Sequence, residues 1–151
     1  MHISDHLEKY RRFDAAARRL DPATDFVLWY WAISSAGTCL INAALHRVGT
    51  LRENRHFATQ VPNVYAVPDG PSTWHYEMAT GCDLIHAGIP ALPAIPPALA
   101  SAFTAMERIE RFRNPCIRAD HPVSTGLLLD FAAAYQEVQR ETAPFLEEIW
   151  P

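Results

Sequence analysis

The amino-acid sequence predicts an all-α fold, an antiparallel bundle of four to five helices built around one long central helix. Three observations carry this reading. Residues 26–45 run for twenty positions without a formal charge, and a helix apolar on every side is either the middle of a bundle or a membrane span. Apolar residues recur at helical spacing on both sides of it, in Leu7, Tyr10, Phe13, Ala17 and Leu20 and again in Leu99, Phe103, Met106 and Ile109. The link between the first two helices is very short, which makes them antiparallel neighbours.

Taken in order, the first helix is expected from about Asp5, whose carboxylate caps the backbone while Glu8 completes a capping box. Asp21 and Pro22 are a cap and a first-turn residue for the central helix, which should run to about Val48 and leave through Gly49 in a left-handed turn. Residues 50–71 lose helical periodicity and read as a long connection with one short helical turn around 52–57. Residues 72–87 read as a third helix weakened by Gly81. Pro90, Pro93, Pro96 and Pro97 then form a stiff extended crossing, with Ile89, Leu92 and Ile95 turned inward. A helix from Pro97 to Arg113 ends because Asn114 precedes Pro115, and a last helix begins near Thr125 or Gly126 and is kinked or restarted at Pro144. The whole chain, residues 1–151, forms one domain with no internal repeat.

Composition narrows the function. With 49% hydrophobic and 20% charged residues, the chain is of ordinary globular type. A net charge of −4 argues against a broad nucleic-acid surface, although Arg108, Arg111, Arg113 and Arg118 make a local basic cluster. Cys39, Cys82 and Cys116 are odd in number, widely spaced and without a CxxC pair, which points to free thiols in a reducing cytoplasm. The first residues follow no signal-peptide pattern. Ser34, Ser35, Thr38 and Asn42 interrupt the long apolar run, so it is expected to be a core helix and no membrane contact is expected.

Four groups of residues could carry chemistry. Glu53 and His56 form a single ExxH, where a di-iron bundle needs two such motifs and further inward carboxylates. His75, Cys82 and His86 would align on one face of the third helix and could hold zinc if that helix were unbroken, but their spacing is better explained by packing. Ser35, Cys39, Asn42 and His46 form a polar stripe on the central helix that either binds a polar ligand or satisfies a neighbouring element.

The fourth group spans residues 110–121, where Arg113 stands at a helix end, Asn114 follows and His121 comes after Pro115. This pattern resembles the RN…H motif of the HEPN family of helical-bundle proteins, many of them dimeric and many of them metal-independent endoribonucleases. The resemblance implies that Arg113, Asn114 and His121 are catalytic, with Arg113 holding a scissile phosphate and His121 moving a proton near neutral pH. It also implies RNA as substrate, a homodimer with a shared cleft, and neither a cofactor nor a metal. Seven residues separate Arg113 from His121, more than the family's motif usually holds. The alternative is a noncatalytic helical module that binds a small molecule, a nucleotide or an unidentified protein partner. Arg111, Arg118, Asn42 and His46 are the candidate binding residues.

Overall fold

A computed structural model describes residues 1–52, 54, 56–61, 63–87, 94–119 and 121–147. Four helices are present, α1 (Ile3–Ala17), α2 (Phe26–Arg47), α3 (Ala100–Glu110) and α4 (Thr125–Thr142). Between α2 and α3 lies a three-stranded antiparallel sheet of β1 (Phe57–Ala58), β2 (Val64–Pro68) and β3 (Trp74–Met78), with β2 in the middle. The fold is therefore mixed α/β, which corrects the all-α expectation.

The sheet replaces both the long connection and the third helix expected from sequence. Val64, Tyr65 and Val67 on one side and Trp74 and Tyr76 on the other are β-branched and aromatic residues, which suit a pleated surface better than a helix. Pro68, Asp69 and Gly70 stand between them and turn the chain. The hairpin closes in the register Val64↔Met78 to Pro68↔Trp74, and the Asp69 amide donates to the Thr73 carbonyl at 2.9 Å. Asn63 takes a φ of 60° at the entry to β2, a left-handed position that asparagine tolerates.

The central helix is confirmed, with shifted ends. Asp21 organises the turn before α2, its carboxylate accepting from the Ala23 amide at 2.8 Å, while the helix itself begins at Phe26. At its far end Gly49 has a φ of 74°, and the Thr50 amide donates to the Leu45 carbonyl at 2.9 Å, the expected left-handed exit. The helix is long and apolar enough to cross a membrane, yet most of its surface is buried within this protein. Asp5 proves to be the third residue of α1, where its carboxylate accepts from the His2 amide at 3.1 Å.

The helix expected over residues 97–113 starts as a 3₁₀ turn at Pro97, continues as α3 to Glu110, and is followed by a π-helical turn, Asn114–Arg118, that accommodates Pro115. Ser124 caps α4 by accepting from the Leu127 amide at 3.2 Å. At the other end Thr142 donates its hydroxyl to the Val138 carbonyl at 2.7 Å, and a 3₁₀ turn carries the chain past Pro144. Most of the proline-rich crossing, including Ile89, Leu92 and Pro90, lies outside the described residues.

Helix α1 lies along one side of α2, and the α3–α4 pair covers another. Tyr30 is wholly buried and donates its hydroxyl to the Ile109 carbonyl at 3.0 Å, tying α2 to the last turn of α3. Its ring meets Phe131 of α4 edge-on at 5.6 Å, and Phe112 meets the same Phe131 ring at 5.7 Å. Such aromatic geometry adds to the burial energy of the rings. Tyr135 of α4 reaches back to Asp14 of α1 at 2.9 Å, closing the bundle.

Small residues on α2 allow this close approach. A Cβ placed at Gly37 would sit 2.4 Å from Sδ of Met106, and Met106 is itself fully buried and has little room to swing away. Gly37→Leu should lower stability by about 1–3 kcal/mol through overpacking. Urea unfolding should show that loss, and Met106→Ala in the same chain should recover part of it.

Candidate functional site

Residues Asp83, Leu84, Ile85 and His86 follow the sheet and lie across α2 without regular secondary structure. Their position is set by Asn42. Its amide nitrogen donates to the Leu84 carbonyl at 2.8 Å and its amide oxygen accepts from the Leu84 amide at 2.8 Å, all within the buried interior. One side chain thus satisfies both backbone groups of a residue that belongs to neither helix nor sheet, as buried peptide groups require. Polar groups project to either side of this clamp.

On one side stands Asp83. His46 Nε2 lies 2.7 Å from Asp83 Oδ1 in a hydrogen bond, and His6 Nε2 lies 3.2 Å from the same oxygen without hydrogen-bond geometry. The other carboxylate oxygen accepts from the Met1 amine at 2.5 Å. Burial alone would push the Asp83 carboxyl up, but the His46 bond, the nearby His6 ring and the Met1 amine outweigh it and hold the group well below the usual carboxylate range. Burial lowers the His6 imidazole despite the neighbouring carboxylate, which favours its neutral form. The two rings are 5.4 Å apart between centroids, and Nδ1 of His46 is buried without a partner. A cavity of about 220 Å³ opens beside His6 and Asp83 and is lined also by Thr38, Cys39, Asn42 and Phe57. Burial pushes the Cys39 thiol up to about 11, so it stays protonated near neutral pH.

On the other side stands His86. It lies 3.7 Å from Glu110 Oε1, which also accepts from the Ser34 hydroxyl at 2.5 Å. Arg113 Nη1 donates to the His86 ring, 2.9 Å from its Nδ1, and lies 3.9 Å from Glu110 Oε2. Burial would raise the Glu110 carboxyl, but the contacts from His86 and Ser34 bring it below its ordinary value. Its Oε2 is buried and makes no hydrogen bond. Every polar contact of Arg113 with the described residues uses Nη1, so Nε and Nη2 make no hydrogen bond among them. His86 and Arg113 line a second cavity of about 210 Å³ between the sheet and the 83–86 segment, with Asn63, Val64, Tyr65, Asp83 and Leu84 on its walls.

The residues predicted from sequence are thus partly assembled. Asn42 forms the clamp and His46 bonds Asp83 beside it, while the stripe's Cys39 and Ser35 line the first cavity. Arg113 joins the second cavity, but His121 is exposed, its ring 6.1 Å from Phe112, and shares neither hydrogen bond nor ion pair with Arg113. Asn114 is exposed and accepts the Ala119 amide through its carbonyl. Arg111 stacks over the Phe112 ring at 5.0 Å, and Arg118 is exposed. The proposed zinc set is scattered, because His75 lies on β3 paired with Asp69, Cys82 accepts from Asn54, and His86 faces Arg113. Of the ExxH pair, Glu53 lies outside the described residues and His56 bonds Glu77 of β3.

Sequence reasoning missed His6 and Asp83. His6 stands four residues before the buried Tyr10, on the inner face of α1, so its placement was available from periodicity. Asp83 falls inside the stretch read as helix, where its neighbours in sequence do not mark it. Comparison with known proteins finds no matching family model, no similar characterised protein and no similar solved structure.

Two outcomes follow from this geometry. Asn42→Ala strands the buried Leu84 amide and carbonyl and should lower unfolding free energy by about 2–4 kcal/mol in urea. The pH dependence follows from His6, whose depressed value means that the unfolded chain binds more protons below about pH 6.5. Stability should therefore fall as pH drops from 7.5 to 5.5 in EDTA, with a smaller fall in His6→Gln. The Asp83 contribution survives this window and is lost only at more acid pH.

Proposed function

We propose that this chain is a noncatalytic binding module, and that its ligand is a small molecule carrying a carboxylate that seats in the cavity beside Arg113 and His86. The observation that carries the reading is the state of Arg113. Its Nη1 is held by His86 and Glu110, which fixes the guanidinium plane, while Nε and Nη2 bond none of the described residues. A half-occupied fork of this kind suits bidentate pairing with a planar oxyanion. The apolar wall of Val64, Leu84 and Ile85 suits the body of a small ligand, and Asn63 and Gln60 add polar groups at the rim.

An endoribonuclease of the HEPN kind needs the Arg113 guanidinium and the His121 imidazole on one phosphate. His121 instead rests against Phe112, exposed, and shares neither hydrogen bond nor ion pair with Arg113. This arrangement favours the module.

Benzoate titrated into the labelled protein should shift the amide resonances of Asn63, Val64 and Leu84 and the Arg113 Nε signal, with saturation at millimolar concentration. Arg113→Met should lose those shifts while keeping its fold. Cellular RNA incubated with the protein in EDTA should remain intact. Benzoate shifts that are absent, or that persist unchanged in Arg113→Met, contradict the carboxylate site, and RNA cleavage abolished by His121→Ala would establish the ribonuclease instead.

A further inference from the structure

We propose that His6, His46 and Asp83 form a binding site for a first-row divalent transition ion such as Zn²⁺. This goes beyond the carboxylate pocket, whose lining shares Asp83 but neither His6 nor His46, and it departs from the metal-free expectation of the sequence. Among the described residues these three bring their ligand atoms within 4.8 Å of one another. Their side chains are 3%, 1% and 3% exposed respectively.

Two imidazoles and a carboxylate are the donor set of open zinc sites and of the facial triads that hold ferrous iron. The geometry is already near that of a coordination shell. Ligand atoms about 2.0–2.1 Å from a tetrahedral zinc are about 3.3 Å from each other. His6 Nε2 stands 3.2 Å from Asp83 Oδ1, and His46 Nε2 stands 2.7 Å from it, so an ion needs only a small outward movement of His46. His6 Nε2 is buried, stands 3.2 Å from the carboxylate and makes no hydrogen bond. An unpartnered nitrogen at that depth is costly unless something coordinates it.

The ligands sit on rigid parts of the fold. His6 is in the first turns of α1, His46 in the last turn of α2, and Asp83 is held beside them by the Asn42 clamp on the next residue. Three protein ligands leave a fourth position. His6 and Asp83 both line the cleft of about 220 Å³, so that position faces open space with room for water or a small donor. The exposed group of His56, His75, Glu77 and Asp69 on the sheet is the competing place for an ion.

The test uses the full chain stripped with EDTA and titrated with Co²⁺, whose visible absorption is intense when it is four- or five-coordinate and weak when it is octahedral. A His75→Gln background removes the competing surface imidazole. We expect one equivalent of Co²⁺ to give the intense spectrum, Zn²⁺ to displace it, and His6→Gln to weaken binding by more than about 100-fold, since losing even an outer-shell partner costs up to about 100-fold. X-ray absorption on the zinc-loaded His75→Gln protein needs no core substitution and should count two imidazoles and light-atom ligands. Only a weak octahedral spectrum, binding undiminished in a folded His6→Gln protein, or fewer than two imidazoles around zinc would each overturn the site.

Discussion

The paired hydrogen bonds between Asn42 and the Leu84 backbone are the constraint on which the arrangement of polar groups depends. Leu84 has neither a helical nor a strand partner, and its amide and carbonyl are buried against α2. Without Asn42 both would be unsatisfied, at a cost comparable to a large fraction of a domain's stability. With Asn42 in place, the residues before and after Leu84 are held against different partners. Asp83 meets His46 and His6, and His86 meets Glu110 and Arg113.

The two polar centres differ in how their charges are balanced. Asp83 is kept ionised by imidazoles and an amine, none of which is a permanently charged side chain. Glu110 is kept ionised by His86, Ser34 and the guanidinium of Arg113. Buried carboxylates of this kind are rarely favourable for stability alone, because desolvation offsets much of the attraction. Their retention on either side of one clamp, each beside a cavity, is what makes function the better explanation for both.

Much of the helical frame was legible in the sequence. Residues 26–45 announced a core helix through their lack of charge and Gly49 announced its exit, whereas the stop expected at Arg113 was misplaced, because α3 ends at Glu110 and a π-helical turn runs through Pro115. The sheet was legible in part, because Pro68-Asp69-Gly70 between two β-branched and aromatic runs is a turn signal. It was overlooked because residues 72–87 also fit a helical reading when Gly81 is tolerated. Asn42 and His46 were identifiable as a polar stripe on an apolar helix. Their partner Asp83 was not, since the contact spans 37 residues and depends on where the hairpin delivers the chain. The link from Arg113 to His86 is of the same kind, a meeting of distant segments that local periodicity cannot encode.

Native-state hydrogen exchange at the Leu84 amide tests the clamp most directly. The account predicts slow exchange at Leu84 in the wild-type protein, comparable to core amides of α2, and fast exchange at Leu84 alone when Asn42 is replaced by Ala. Exchange at the free-peptide rate in the wild-type protein would contradict it, because Asp83 and His86 would then have no fixed anchor on the central helix.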